Sequence, residues 1–142
     1  YAKRLPVEEH LNRIKKADLF LDTLPYNAHT TASEALRMGV PVLTLIGNSF
    51  ASRVAASLLN AVNIPELITY TQVEYESLAI ELALNSEKLG NIKRKLINNL
   101  PTSALFDCRT YTKNLELAFD AMHQRSQSGL EPDHIMVRDL MD

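Results

Sequence analysis

The residues best placed to do chemistry in this chain fall in one run, Asp22-Thr23-Leu24-Pro25-Tyr26-Asn27-Ala28-His29-Thr30-Thr31, with Glu34 one turn further on. The run follows a short apolar stretch, Leu19-Phe20-Leu21, and leads into an amphipathic segment, so it reads as the loop from a strand to a helix N-terminus. The first turn of a helix has N–H groups with no intrahelical partner, and the helix dipole is positive there. Two hydroxyls and an imidazole beside those groups form a cradle suited to phosphate. A carboxylate at Glu34 could accept from two ribose hydroxyls. On the residues alone, duller readings stay open. Thr30 or Thr31 could simply cap the helix, His29 could be an exposed loop histidine, and Glu34 could be a solvated acid favoured by the dipole.

Other chemistries find less support. The four glycines are scattered, with neither G-x-G-x-x-G nor a P-loop among them. His10, His29, His123 and His134 lack metal-site spacing, so no metal is expected. Ser33, Ser49 and Ser52 lie in no G-x-S-x-G elbow. Arg53 either faces the phosphate region or ties a loop to its helix. Cys108 is the single cysteine, which excludes an internal disulfide and suits a reducing compartment. Its place at a helix start could lower its pKa, but a buried structural thiol is the expectation.

The elements that must position the loop alternate apolar runs with amphipathic segments, the pattern of βαβ units. A helix starts at Pro6, with Glu8 and Glu9 in its first turn and an end near Lys16. The strand Leu19 to Leu21 follows, then a helix through Met38 that stops at Gly39. Val42 to Leu45 is a second strand, broken by Gly47-Asn48-Ser49. A helix from Phe50 to Asn60 leads to a weak strand near Leu67-Ile68. Thr71 and Glu74 make a capping box for a helix through Leu84. Leu89, Ile92, Leu96 and Leu100 mark another helix, ended by Pro101. The last helix, Cys108 to Gln127, carries Tyr111, Leu115, Ala118, Phe119 and Met122 on one side. Three strands each followed by a helix predict an α/β fold, a Rossmann-like parallel sheet with helices on both faces. In such sheets ligands bind beyond the carboxyl ends of the strands, here the loops Asp22 to Thr31 and Ile46 to Phe50.

The 142 residues allow one domain with a real core, placed at 1–128 with a tail over 129–142. A composition of 46% hydrophobic and 23% charged residues is that of a globular protein, and a net charge of -2 gives no footprint for nucleic acid or anionic lipid. Lys93-Arg94-Lys95 reads as a solvated helix face. No apolar run approaches the ~20 residues that span a bilayer, and no signal peptide opens the chain. A start at Tyr1 and a sheet of only three strands suggest part of something longer.

The order of the segments carries a resemblance. Glu8-Glu9-His10, Ala17-Asp18-Leu19-Phe20-Leu21-Asp22-Thr23 and Asn27-Ala28-His29-Thr30-Thr31 are followed by Met38-Gly39-Val40-Pro41-Val42-Leu43-Thr44 and Ala51-Ser52-Arg53-Val54-Ala55-Ala56-Ser57. Glu66-Leu67-Ile68, Glu74-Tyr75, Leu105-Phe106, Tyr111-Thr112 and Pro132-Asp133-His134 complete the series. Together they resemble the catalytic region of O-GlcNAc transferases and their SPINDLY relatives, in register over nearly the whole chain. The resemblance implies a partial C-terminal domain of a GT-B glycosyltransferase, lacking its first strands, which holds a nucleotide-sugar donor. It implies an inverting transfer to Ser or Thr of an acceptor protein, without a metal. His10 would pack against the base, Leu5 would offer backbone groups to its edge, and Arg13 would support that pocket. His29, Thr30 and Thr31 would bind the pyrophosphate and stabilise its charge in the transition state, and Glu34 would bind the ribose.

The resemblance also implies what lies elsewhere: an N-terminal catalytic domain, a tetratricopeptide array and a cytoplasmic setting. No residue here is nominated as general base, and the chain alone is expected to be inactive. The apolar face of the last helix is expected to be exposed and to favour self-association. Two departures bear on the donor. O-GlcNAc transferases have a lysine where this chain has Val7 and an aspartate where it has Glu34; glutamate there is more like SPINDLY, while His29 matches O-GlcNAc transferases. UDP-GlcNAc is the first expectation and GDP-fucose the second. A non-catalytic interaction module that kept the fold is the alternative from another class, and the nucleotide half of a sugar epimerase is a third.

Overall fold

The chain is described here by a computed structural model, which covers residues 2–137. Two compact units divide it, one running to Leu105 and the other starting at Phe106.

The first unit is built on a parallel three-stranded sheet of β1 (Phe20–Leu21), β2 (Val42–Leu45) and β3 (Ile68–Thr69), in spatial order β1-β2-β3. Phe20 pairs with Val42 and Leu21 with Leu43, while Thr44 pairs with Ile68 and Leu45 with Thr69. The central strand β2 is therefore held along one half by β1 and along the other by β3. Its Val42, Leu43 and Thr44 are all fully buried. Side chains alternate faces along a strand, so burial at three consecutive positions means that both faces of β2 are covered, as expected for a parallel sheet. The buried residues of α2 (Thr30–Arg37), α3 (Val54–Ala61), α4 (Gln72–Leu84) and α5 (Ser86–Asn99) supply the rest of the core: Ala35, Leu36, Ala55, Leu59, Leu82 and Leu96 are wholly buried. Truncating Leu36 or Leu59 to Ala would cost roughly 2–5 kcal/mol.

Local signals decide where these elements stop. α1 (Val7–Ile14) begins after Pro6, with Glu8 and Glu9 in its first turn and Arg13 in its last, each complementing the helix dipole. α2 ends in a Schellman closure: Val40 N–H reaches Ala35 O at 2.9 Å, Gly39 N–H reaches Leu36 O at 2.9 Å, and Gly39 takes φ of +76°. The capping box of α4 is present, with Thr71 Oγ1 accepting from Glu74 N and Glu74 Oε2 accepting from Thr71 N, both at 3.2 Å. α5 is capped by Asn85, whose side chain accepts from Lys88 N at 2.9 Å.

One helix differs from expectation. The segment from Phe50 to Asn60 is not continuous: a 3-10 turn, Phe50–Ser52, precedes α3. Ser49 and Ser52 close that turn through their side chains, and the Ser52 carbonyl accepts from Gly47 N at 2.9 Å instead of continuing a helical ladder. Gly47 is required there, because a Cβ would lie 2.4 Å from Ser52 Oγ.

The second unit consists of α6 (Cys108–Gln127) and the chain after it. Asp107 caps α6, accepting from Thr110 N at 3.0 Å and from the Thr110 hydroxyl at 2.7 Å. Cys108, expected to be buried, is exposed: it occupies the first turn of a capped helix. Tyr111, Leu115, Phe119 and Met122 are exposed as well, as expected for this face. After Gly129 the described residues form no regular element, but Arg125 turns to hold the Glu131 carbonyl and lies 3.4 Å from Asp133. The part of the expected tail beyond residue 137 lies outside the described residues.

Candidate functional site

The loop between β1 and α2 is folded around two buried polar side chains. Asp22, 4% exposed, ends β1 and points one carboxylate oxygen at the loop backbone. Its Oδ1 accepts from Thr23 N at 2.8 Å and from Ala28 N at 2.6 Å, so it draws the two ends of the loop together. Its Oδ2 accepts from the buried Thr44 hydroxyl at 2.6 Å, which fastens the loop to β2. The Asp22 carbonyl accepts from Tyr75 Oη at 2.8 Å, adding a tie to α4. Burial raises the Tyr75 hydroxyl above its ordinary pKa, and the Asp22 carboxylate pushes the same way.

Asn27, 1% exposed, is the second hub. Its backbone N–H donates to Ala51 O at 3.0 Å and its Nδ2 donates to Thr23 O at 3.1 Å. Thr23 Oγ1 in turn donates to Tyr26 O at 2.8 Å. A loop that satisfies its own backbone in this way is preorganised. It delivers His29 to the N-cap of α2 in one fixed position.

Thr30 and Thr31 are the first two residues of α2 and do not cap it; the N-cap is His29, and its side chain does not cap either. The earliest amide of α2 with an internal partner is Ser33 N, which donates to His29 O at 3.1 Å. The Thr30 and Thr31 amides are thus left for an external acceptor, and both threonines are exposed, whereas Ala32 is wholly buried. His29 is no free loop histidine. Its ring stacks on Tyr26 with centroids 5.0 Å apart, meets Phe50 edge-on at 6.1 Å, and brings Nε2 to 3.4 Å from Ala51 O.

The other nominated residues converge from α1. His10 Nε2 lies 3.4 Å from Glu34 Oε2, so the imidazole meets the carboxylate one turn below the open end of α2. Arg13 Nη2 is 2.9 Å from His10 Nδ1, and Arg13 Nη1 donates to Lys3 O at 3.0 Å. Leu5 is half-buried in the segment between Lys3 and α1. His10, Arg13 and Glu34 therefore form one cluster, and His29, Thr30 and Thr31 stand at the end of the helix that carries Glu34. Arg53 takes the structural role, donating to Gly47 O at 3.1 Å. Among the described residues no three His, Cys, Asp or Glu side chains are grouped to hold a metal ion, and no helix is long and apolar enough to cross a membrane.

Sequence reasoning did not single out Asp22, Asn27 or Tyr75 as the residues that shape the loop. A signal existed for Asp22. An acid at the carboxyl end of an apolar strand, two positions from Phe20 on the same face, must find donors if buried, and Thr44 has the same place on the next strand.

What this arrangement offers is a row of free amides and hydroxyls at the positive end of a helix, with a carboxylate and an imidazole one turn away. That pairing suits a ligand with a phosphate at one end and vicinal hydroxyls at the other. The model for Glycosyl transferase family 41 matches residues 1–115. A UDP-N-acetylglucosamine–peptide N-acetylglucosaminyltransferase of Caenorhabditis elegans is 40% identical over 128 residues, covering 90% of this chain and 11% of that one. The probable enzyme of that name designated SEC, from Arabidopsis thaliana, is 39% identical over 130 residues, or 91% of this chain and 13% of its own. A probable SPINDLY from Hordeum vulgare is 36% identical over 124 residues, again 13% of its length. Among solved structures, a lysine-to-methionine mutant of Thermobaculum terrenum O-GlcNAc transferase superposes with a TM-score of 0.81 at 35% identity, covering 90% of this chain and 25% of that one. The chain thus spans about an eighth of the curated relatives it matches and a quarter of the solved one.

Proposed function

The chain belongs to glycosyl transferase family 41, and from that premise we propose that it is the donor-binding portion of an inverting protein O-glycosyltransferase. Its donor is a nucleotide sugar, UDP-GlcNAc in the first instance, and its acceptor a Ser or Thr hydroxyl of a protein. The observation that carries the reading is the uncapped start of α2, with the exposed Thr30 and Thr31 amides free and Glu34 3.4 Å from His10 one turn away. A nucleoside diphosphate matches that layout: pyrophosphate at the amides, ribose at Glu34, and base beside His10, Arg13 and the Leu5 backbone.

Catalysis by such a site is electrostatic. When the sugar leaves, negative charge builds on the departing diphosphate, and donors fixed in advance stabilise that charge more than they stabilise the bound donor. The helix dipole adds to this, and the His29 ring, held by Tyr26 and Phe50, needs no reorganisation. The chemistry needs no metal in this reading. The remaining parts of the enzyme lie outside this chain: a second catalytic domain supplying the general base, and a tetratricopeptide array, in a cytoplasmic protein. The exposed face of α6 is where those parts or a second copy would pack.

Replacing Thr30 and Thr31 together by Ala in the full-length enzyme tests the assignment. Loss of hydroxyls that act on developing charge lowers kcat by about tenfold or more and leaves donor affinity within a few-fold. Unchanged turnover, or a loss confined to KM, overturns the role given to these residues.

A further inference from the structure

Where the chain leaves β2 and turns into α3, a groove of about 560 Å³ opens along the outer side of α3. Ile46, Val54 and Leu58, each half-buried, give it an apolar floor, and the exposed Phe50, Arg53 and Ser57 stand around it. Phe50 is 81% exposed, and its ring meets His29 edge-on at 6.1 Å. One side chain therefore walls the groove and borders the start of α2. Arg53 is the only charged residue that lines the groove. Its Nη1 donates to the neutral Gly47 O at 3.1 Å, and among the described residues no carboxylate pairs with it. A guanidinium carries five N–H donors and keeps its charge, so Arg53 can still serve an acid from outside.

We propose that this groove docks the acceptor polypeptide beside its target Ser or Thr, with an apolar side chain on the floor and an acidic one at Arg53. The proposal rests on the donor-site reading above. That reading sets the nucleoside on the α1 side of α2 and the pyrophosphate at Thr30 and Thr31. The sugar joined to the pyrophosphate then lies at the end of the site that His29 and Phe50 border, and the acceptor hydroxyl must approach there. The groove follows α3 from Val54 to Asn60, a rise of about 9 Å at the helical spacing. That length matches about three residues of extended chain. A groove with one cation and no anion favours acidic over basic partners.

Glycosylation of a peptide library by the full-length enzyme tests the docking groove. Each peptide carries one Ser with randomised flanks, and the donor is UDP-GlcNAc or GDP-fucose. Among the products, an apolar residue and an acidic residue should be enriched on the same side, within about three positions of the modified Ser. The apolar residue should raise kcat/KM about tenfold and the acidic one about threefold, the latter gain vanishing at high salt. Ser57→Trp, which fills the groove, should abolish the apolar preference. Ser57→Glu, which gives Arg53 an acid of its own one turn away, should abolish the acidic preference. Both variants should leave nucleotide affinity within a few-fold of wild type. Flanks without enrichment, or preferences that both variants leave intact, overturn the proposal, as when another part of the full-length protein covers the groove. Loss of nucleotide binding in Ser57→Glu overturns it too. Should Ser57→Trp fail to fold, Ser57→Glu and the salt dependence still decide. No transfer to any peptide, by contrast, overturns the transferase reading and the acceptor role with it.

Discussion

Removing the Asp22 side chain should unfold the loop that presents α2, and the cost can be worked from its contacts. Asp22→Ala takes the acceptor from three donors: Thr23 N, Ala28 N and the Thr44 hydroxyl. Thr23 is exposed, so its amide can turn to water at little cost. Thr44 is wholly buried and Ala28 half-buried, and each stranded donor costs about 1–3 kcal/mol. The sum is roughly 2–6 kcal/mol, a large part of the 5–15 kcal/mol that stabilises an ordinary domain. Asp22→Asn is the informative control. Its Oδ1 can keep both amides, and only the Thr44 contact must reverse, with the hydroxyl now accepting; the expected cost is about 1 kcal/mol. Urea unfolding followed by circular dichroism at neutral pH measures both. Hydrogen exchange at the Ala28 amide should speed up in the alanine variant well beyond the global change. An alanine variant within 1 kcal/mol of wild type, or an asparagine variant as unstable as alanine, would refute the account of Asp22 as the hub.

Two further outcomes follow from the same region. Gly47→Ala would put a Cβ 2.4 Å from Ser52 Oγ and 2.8 Å from Ser52 Cβ, so the turn must shift, at about 1–3 kcal/mol, read as a lowered urea midpoint. Tyr75 is raised above its ordinary value of 10.0, first by burial and then by the Asp22 charge, so the folded state prefers the protonated phenol. Stability from this group is fully present below about pH 10 and is lost as pH rises through the higher folded value. Tyr75→Phe should abolish that alkaline loss and cost about 1 kcal/mol at neutral pH; an unchanged alkaline profile contradicts the assignment.

What could be read from the sequence was what local chemistry decides. The strand Val42–Leu45 and a helix from about Cys108 to Gln127 were expected where they are observed, the strand because Gly47-Asn48-Ser49 breaks it and the helix because Tyr111, Leu115, Ala118, Phe119 and Met122 recur on one side. The box at Thr71 and Glu74 and the stop at Gly39 needed only neighbours three or four residues away. The site was legible as a set of residue types: a loop leaving a strand, hydroxyls at a helix start, an acid one turn on. Its architecture was not, because the bonds that shape it span the chain. Asp22 meets Thr44 across 22 positions and the Tyr75 hydroxyl across 53, and no periodicity reports such pairings. Thr30 and Thr31 read from spacing alone as caps, and only the placement of His29 at the N-cap shows that they are not. The break before α3 was hidden for a related reason: Ser49 and Ser52 look like ordinary helix-start residues until Gly47 closes on Ser52. Cys108 shows the limit of burial by residue type, since the exposed turn it occupies outweighs the usual preference of a thiol for the core.

The most direct test of the account is calorimetric titration of the full-length protein with UDP and with GDP, repeated on His29→Ala. The account predicts that one of the two binds and that its affinity falls by tenfold or more when His29, the N-cap of α2 held between Tyr26 and Phe50, is removed. Binding of neither nucleotide, or binding that His29→Ala leaves unchanged, would contradict the placement of the donor at the start of α2.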